Sequence, residues 1–202
     1  EPPLLRGQIY YRLGLVHLVR AARAHKAGQT AERDAAWSAA EAALRAALPD
    51  LLTGRVVDDL AQTYHELGRL LARRGEVQEA TAHVERSRAL IERSGDVAEQ
   101  VAVLLTLGKL RVAASQPDEA LAAIRRALEL ASAAKAPNLA SAAADLIVRA
   151  HQIDARGVLT GDPSGRETVL ARVERSREAL AQAGQTRSLA ALDSVKRALS
   201  AD

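Results

Sequence analysis

The chain has 202 residues; 48% are hydrophobic but only 2% are aromatic, and there is no Phe and no Cys. This excludes disulfides, a thiol nucleophile and thiolate metal sites, and it argues against a thick core built on large aromatic side chains. The net charge of +3 comes mainly from Arg interspersed with Glu and Asp, the pattern of a mixed solvated helical surface and not of a nucleic-acid binder.

Ala and Leu carry the apolar content, and both are strong helix formers. The first element, around "YYRLGLV", sets Gly14 after Leu13, and "RAARAHKAGQTAERDAAW" continues it with a single breaker, Gly28. The spacing therefore predicts two long helices in a first unit over about 3–49, with Leu44 and Ala40 on the second of them. In the second unit (52–94) a helix over about 53–73 carries Leu67, Gly68, Leu70 and Leu71, and Gly75 ends it. Its partner runs over about 76–93 with Ala80 and Val84 inside, and "RSGD" at 93–96 separates it from the next helix, with Asp96 as N-cap. The third unit (97–135) repeats this order with Gly108, Ala120 and Ile124, and Pro117 suits the first turn of its second helix. The fourth (138–184) begins near Pro137, has Val148 where Gly is expected, and "DARGVLTGDPSG" at 154–165 reads as a loop. A terminal helix is predicted over 186–200.

These units share one register. Gly68, Gly108 and Val148 are 40 residues apart, and Leu44, Val84 and Ile124 each stand 24 residues before one of them. "HVERSRAL" at 83–90 returns as "RVERSREAL" at 172–180. A period of this length in an Ala-rich chain is the signature of stacked helical hairpins. Gly68 is then expected where the two helices of its hairpin approach closely, and Val148 predicts a fourth hairpin that is splayed or shifted.

The spaced positions resemble the tetratricopeptide repeat: Tyr64, Leu67, Gly68, Gly75, Ala80, Val84 and Ser87 in the second unit; Leu104, Leu107, Gly108, Ala120, Ile124 and Ala127 in the third; Tyr10, Leu13 and Gly14 in the first. The fourth departs, with Ala144 in the aromatic position and Val148 in that of Gly. The resemblance implies an all-α, right-handed superhelical solenoid of antiparallel hairpins, forming one domain over 1–202. Its period exceeds the usual one and is similar to the longer-helix variety of bacterial regulatory proteins, including the sensor segments of transcriptional activators.

Candidate chemistry is sparse. "HELGR" begins like a zinc helix, but position 69 is Arg where a second His is required, and His17, His25, His65, His83 and His151 form no i, i+4 pair. "GDPSGRET" at 161–168 lacks the Gly-Lys-Ser/Thr ending of a phosphate loop. The chain is expected to be no enzyme and to hold no cofactor or metal. The resemblance places the residue after the Gly in a concave groove, which gives a column of Arg69, Lys109 and Arg149, with Gln62, His65, Arg73, Asp145 and Gln152 on the same face. Such a column suits an acidic protein or peptide, unless acids such as Asp145 already neutralise it. The groove-facing Asn residues of a carboxylate clamp are absent. Tyr11, Leu15 and Leu18 make the first unit greasier, either as a partner or homodimer contact or as surface covered by the long helices and Trp37.

The expected function is protein or peptide recognition by a sensory or scaffolding segment of a larger cytoplasmic regulator. The alternative is a non-catalytic assembly domain of a multidomain enzyme such as a protease, kinase or NTPase. No run approaches the roughly 18 apolar residues of a membrane helix, no secretory pattern opens the chain, and no basic recognition helix stands out for nucleic acid. The absence of any Met reads as processing or as excision from a longer protein.

Overall fold

Helix after helix ends where one residue enters the left-handed region. Gly75 (φ +82°) closes one helix, and Ser115 (φ +58°), 40 residues on, closes the equivalent helix of the next hairpin. At the first of these turns the Glu76 N–H donates to the Leu71 carbonyl at 3.0 Å, so the last carbonyls of the helix are satisfied within the turn. In the computed structural model, which describes residues 3–92, 96–160 and 165–201, the elements are α1 (Pro3–Lys26), α2 (Thr30–Gly54), α3 (Val57–Arg73), α4 (Val77–Ile91), α5 (Val97–Ala113), α6 (Pro117–Ala133), α7 (Pro137–Thr160), α8 (Arg166–Gln182) and α9 (Thr186–Ser200). No strand occurs among the described residues, so the protein is all-α, built of consecutive helical hairpins. No described helix is long and apolar enough to cross a membrane.

The chain divides into two compact units, residues 1–95 and 96–202. In the first, α1 to α4 enclose a core of Tyr11, Leu44, Ala47, Leu51, Leu60 and Leu67. In the second, α5 to α9 bury one cluster around Ile124, Leu128, Ile147, Leu180 and Leu192. A second cluster there joins Ala155, Val169, Val173, Val195 and Leu199.

Three hairpins are closed by Gly. A Cβ on Gly68 would lie 2.3 Å from Val84 Cγ2 and 3.0 Å from the Ala80 carbonyl oxygen; on Gly108 it would lie 2.4 Å from Ile124 Cγ1. On Gly14 it would meet Leu44 Cδ2 at 2.7 Å. The helices thus approach more closely than any side chain allows, and close contact offsets the helix cost of Gly, about 1 kcal/mol. In the fourth hairpin Val148 belongs to the cluster of Leu180 and Leu192, whereas Val173 belongs to that of Ala155 and Val169. The Gly–Val stack is therefore replaced by a shifted contact.

Three boundaries differ from the expected ones. α2 continues through Pro49 to Gly54, and α3 starts at Val57, later than position 53. Pro49 removes one helical hydrogen bond, but Ala47 and Leu51 are fully buried and the Asp50 carboxylate accepts two bonds from the Arg6 guanidinium, each 2.7 Å, across to α1. The stretch expected as a loop at 154–165 is helical as far as Thr160, because Ala155 and Val158 pack with Val169; its residues 161–164, and residues 93–95 of the earlier break, lie outside the described residues. The extra residues of the first unit lengthen both α1 and α2, which turn at Gly28 (φ +72°).

Candidate functional site

Helix α3 buries Leu60, Leu67, Leu70 and Leu71. Helical spacing then carries Glu66, Arg69 and Arg73 along a different face, where they line a groove of about 720 Å³. Its apolar wall comes from α1, through Leu15, Leu18, Val19 and Ala22, and Trp37 contributes from α2. The Arg33 guanidinium lies over the Trp37 ring, 4.7 Å from its centroid. One wall is therefore aliphatic and aromatic while the other carries two guanidinium groups.

The two cations differ. Arg69 Nη1 donates to Glu66 Oε1 at 2.7 Å, a pair one turn apart on the same helix. Arg73 has no ion pair among the described residues, and its pKa is pulled below the ordinary value by burial and then by the positive charge of Arg69, with Glu66 opposing. An incoming carboxylate would relieve that excess positive charge, and Arg can hold it bidentately.

Other expected groove residues have different places. Tyr11 is buried, 4% exposed, and its hydroxyl donates to Gln62 Oε1 at 2.7 Å. Its aromatic body thus belongs to the core and not to an exposed contact, and Gln62 spends its carbonyl on it. His65 is also buried, with a pKa lowered to about 4 by desolvation and then by Arg69, so it is neutral and turned inward. Leu15 and Leu18 do line the groove, but they are partly buried against the core of the first unit. Lys109, Arg149 and Gln152 are exposed on α5 and α7 of the second unit. Asp145 there accepts a hydrogen bond from the Ser188 hydroxyl at 3.3 Å. The 40-residue period relates Arg69 to Lys109 and Arg149, yet Arg69's neighbour in the groove is Arg73. Trp37, expected as a cover for Leu15 and Leu18, lies in the groove with them, and Val19, Ala21, Ala22 and His25 of α1 line it without having been expected there; the sequence signal for Val19 and Ala22 was the i, i+3, i+4, i+7 apolar run from Leu15.

Among the described residues no group of His, Asp and Glu is placed to hold a metal ion. The fold and this groove define a class, the helical-hairpin repeat proteins with a lined concavity between helices. Residues 59–133, from α3 to the end of α6, match the tetratricopeptide repeat family. In fold the chain is similar to the crystal structure of nearly identical TPR-like repeats in a point variant of a Podosopora anserina protein named as a kinesin light chain: 18% identity over 87% of this chain and 98% of the other, TM-score 0.53. The unsubstituted form of those repeats aligns at 19% identity over 94% and 95% of the two chains, TM-score 0.49. No curated protein matches the chain. Repeats of this kind are typically non-catalytic and generally bind proteins.

Proposed function

We propose that the chain is a peptide-recognition module whose groove between α1 and α3 takes a segment presenting a carboxylate beside a large apolar side chain. The observation that carries this reading is the pairing of one aliphatic and aromatic wall with Arg73, whose charge is disfavoured by burial and by Arg69 and which has no ion pair among the described residues. The apolar wall supplies desolvation, about 25 cal/mol for each Å² removed from water, and the guanidinium supplies direction and specificity. The long-helix, 40-residue register supports the further reading of a sensory or scaffolding segment within a larger cytoplasmic regulator, and the lack of Cys suits a reducing compartment.

A displayed peptide library selected on the protein tests the groove. Enriched peptides should carry Asp or Glu within a turn of Leu, Phe or Trp. Arg73→Glu should weaken their binding about tenfold, or about 1.4 kcal/mol, with a reduced dependence on salt. Selection of basic peptides, or affinity unchanged in the Arg73→Glu protein, would rule the reading out.

A further inference from the structure

Helix α1 is apolar on two opposite faces. One buries Gly7, Tyr11, Gly14 and Ala21; Gly14 lies against Leu44, and Gly7 against Asp50 and Leu51. The other carries Leu5, Ile9, Leu13 and Val16 at i, i+4, i+8 and i+11, with exposures of 47%, 48%, 42% and 62%. Helical geometry sets these four in one stripe facing away from α2. Arg20 and Arg23 continue the same stripe toward the helix C-terminus. Leu15, Val16, Val19, Arg20 and Arg23 also line a hollow of about 500 Å³.

Charge decides what covers this face. α1 contains five Arg and Lys residues and no Asp or Glu. Arg6 is paired with Asp50, and Arg20 with Glu32 at 3.3 Å in an exposed contact. Arg12 lies over the Tyr11 ring, and Arg23 and Lys26 have no ion pair among the described residues. A second copy of α1 laid on the stripe brings five more cations and no carboxylate, so self-pairing is repulsive. A helix with acidic residues is complementary. Running antiparallel to α1, it would set its N-terminal turns over Arg20 and Arg23, and the N-terminus is where Asp and Glu favour a helix through its dipole.

We propose that the outward face of α1 docks an amphipathic helix of a partner protein, antiparallel to α1, with Asp or Glu in its first turns and Leu-type side chains after them. From Leu5 to Arg23 the contact runs about 27 Å, the length of about 18 residues of partner helix. This surface is centred on Leu5, Ile9, Leu13 and Val16 and shares only its edge, at Leu15 and Val19, with the groove faced by Arg69 and Arg73; variants at Ile9 and Arg23 test it apart from the peptide-recognition reading.

The probe is a fluorescently labelled designed helix of about 20 residues, Glu in its first two turns and a Leu stripe beyond, beside a twin with Lys in place of Glu. The intact protein should bind the Glu probe and not the Lys twin. Ile9→Asp should weaken binding at least tenfold. Arg23→Glu should weaken the Glu probe about fivefold and strengthen the Lys twin. The Arg69→Glu, Arg73→Glu double variant should bind the Glu probe as the parent does. Circular dichroism confirms that each variant is folded, and should Ile9→Asp unfold, the charge exchange at Arg23 carries the test. The proposal is overturned by equal or absent binding of the two probes, by indifference to Arg23→Glu, or by loss confined to the Arg69 and Arg73 variant. A dimer in sedimentation that Ile9→Asp dissociates also overturns it, because a second copy then occupies the face.

Discussion

At Gly68 the Cβ of Ala would sit 2.3 Å from Val84 Cγ2, and the Ala80 carbonyl oxygen leaves little room to retreat. Gly68→Ala should therefore lower stability by about 1–3 kcal/mol despite the better helix propensity of Ala. Gly157 is the matched opposite: it lies within α7, and nothing stands within 4 Å of its missing Cβ. Gly157→Ala should raise stability by up to about 1 kcal/mol, and urea unfolding of both variants measures the contrast. His151 has an acid response. It is fully buried, its Nε2 lies 2.9 Å from the Ser176 hydroxyl, and burial, followed by the charges of Arg125 and Arg172, lowers its pKa to about 4. The unfolded chain therefore takes up a proton that the folded one refuses. Its contribution is whole above about pH 6.5 and is lost as pH falls toward about 4, an effect on the order of 3 kcal/mol. Eighty residues before His151 stands Leu71, and Ser176, three residues after Val173, corresponds to Ala127, three after Ile124; Leu71 and Ala127 are both fully buried. His151→Leu with Ser176→Ala should thus keep the fold and flatten the melting temperature between pH 6.5 and 4. An unchanged pH profile would assign the acid response to another group, with His65 next in line.

Among the elements, Arg172 of α8 bridges both α6 and α7. Arg172 donates from Nε and Nη2 to the Asp118 carboxylate of α6 at 2.8 and 2.7 Å, and from Nη1 to Asp154 of α7 at 3.0 Å. Arg172 holds the Asp118 carboxyl below its ordinary pKa. Arg172→Leu should speed amide exchange along α8 and cost about 1–3 kcal/mol; exchange unchanged in α8 would show that its apolar contacts hold it alone. Element boundaries were legible where the breaker acts locally: Gly75 and Gly28 need the left-handed region, Pro117 stands at the first turn of α6, and the Asp96 side chain caps the Glu99 N–H at 3.0 Å. They were illegible where tertiary contact overrides the breaker. Pro49 stays inside α2 because Asp50 and Leu51 are held against α1 and the core. Gly157 stays inside α7 because Ala155 and Val158 have α8 to pack on.

Across the molecule, each unit carries its own thin core of Ala, Leu, Val and Ile, as a chain with 2% aromatics must. The amino-acid sequence by itself determined the helical class, the 40-residue register and the close approach of two helices at Gly68; which side chains the Gly residues meet, Val84 at Gly68 and Ile124 at Gly108, came from the packing. The class, the register and the close approach follow from periodicity and from steric limits repeated in every unit, so one chain contains several statements of the same rule. The sequence also marked Arg69 and Arg73 as surface cations. Only the tertiary structure decided that Tyr11 and His65 turn inward and that Trp37, Val19 and Ala22 join the two guanidinium groups in one groove. A helical pattern says which residues share a face, but the neighbouring helix that covers that face is chosen by packing between segments far apart in the chain.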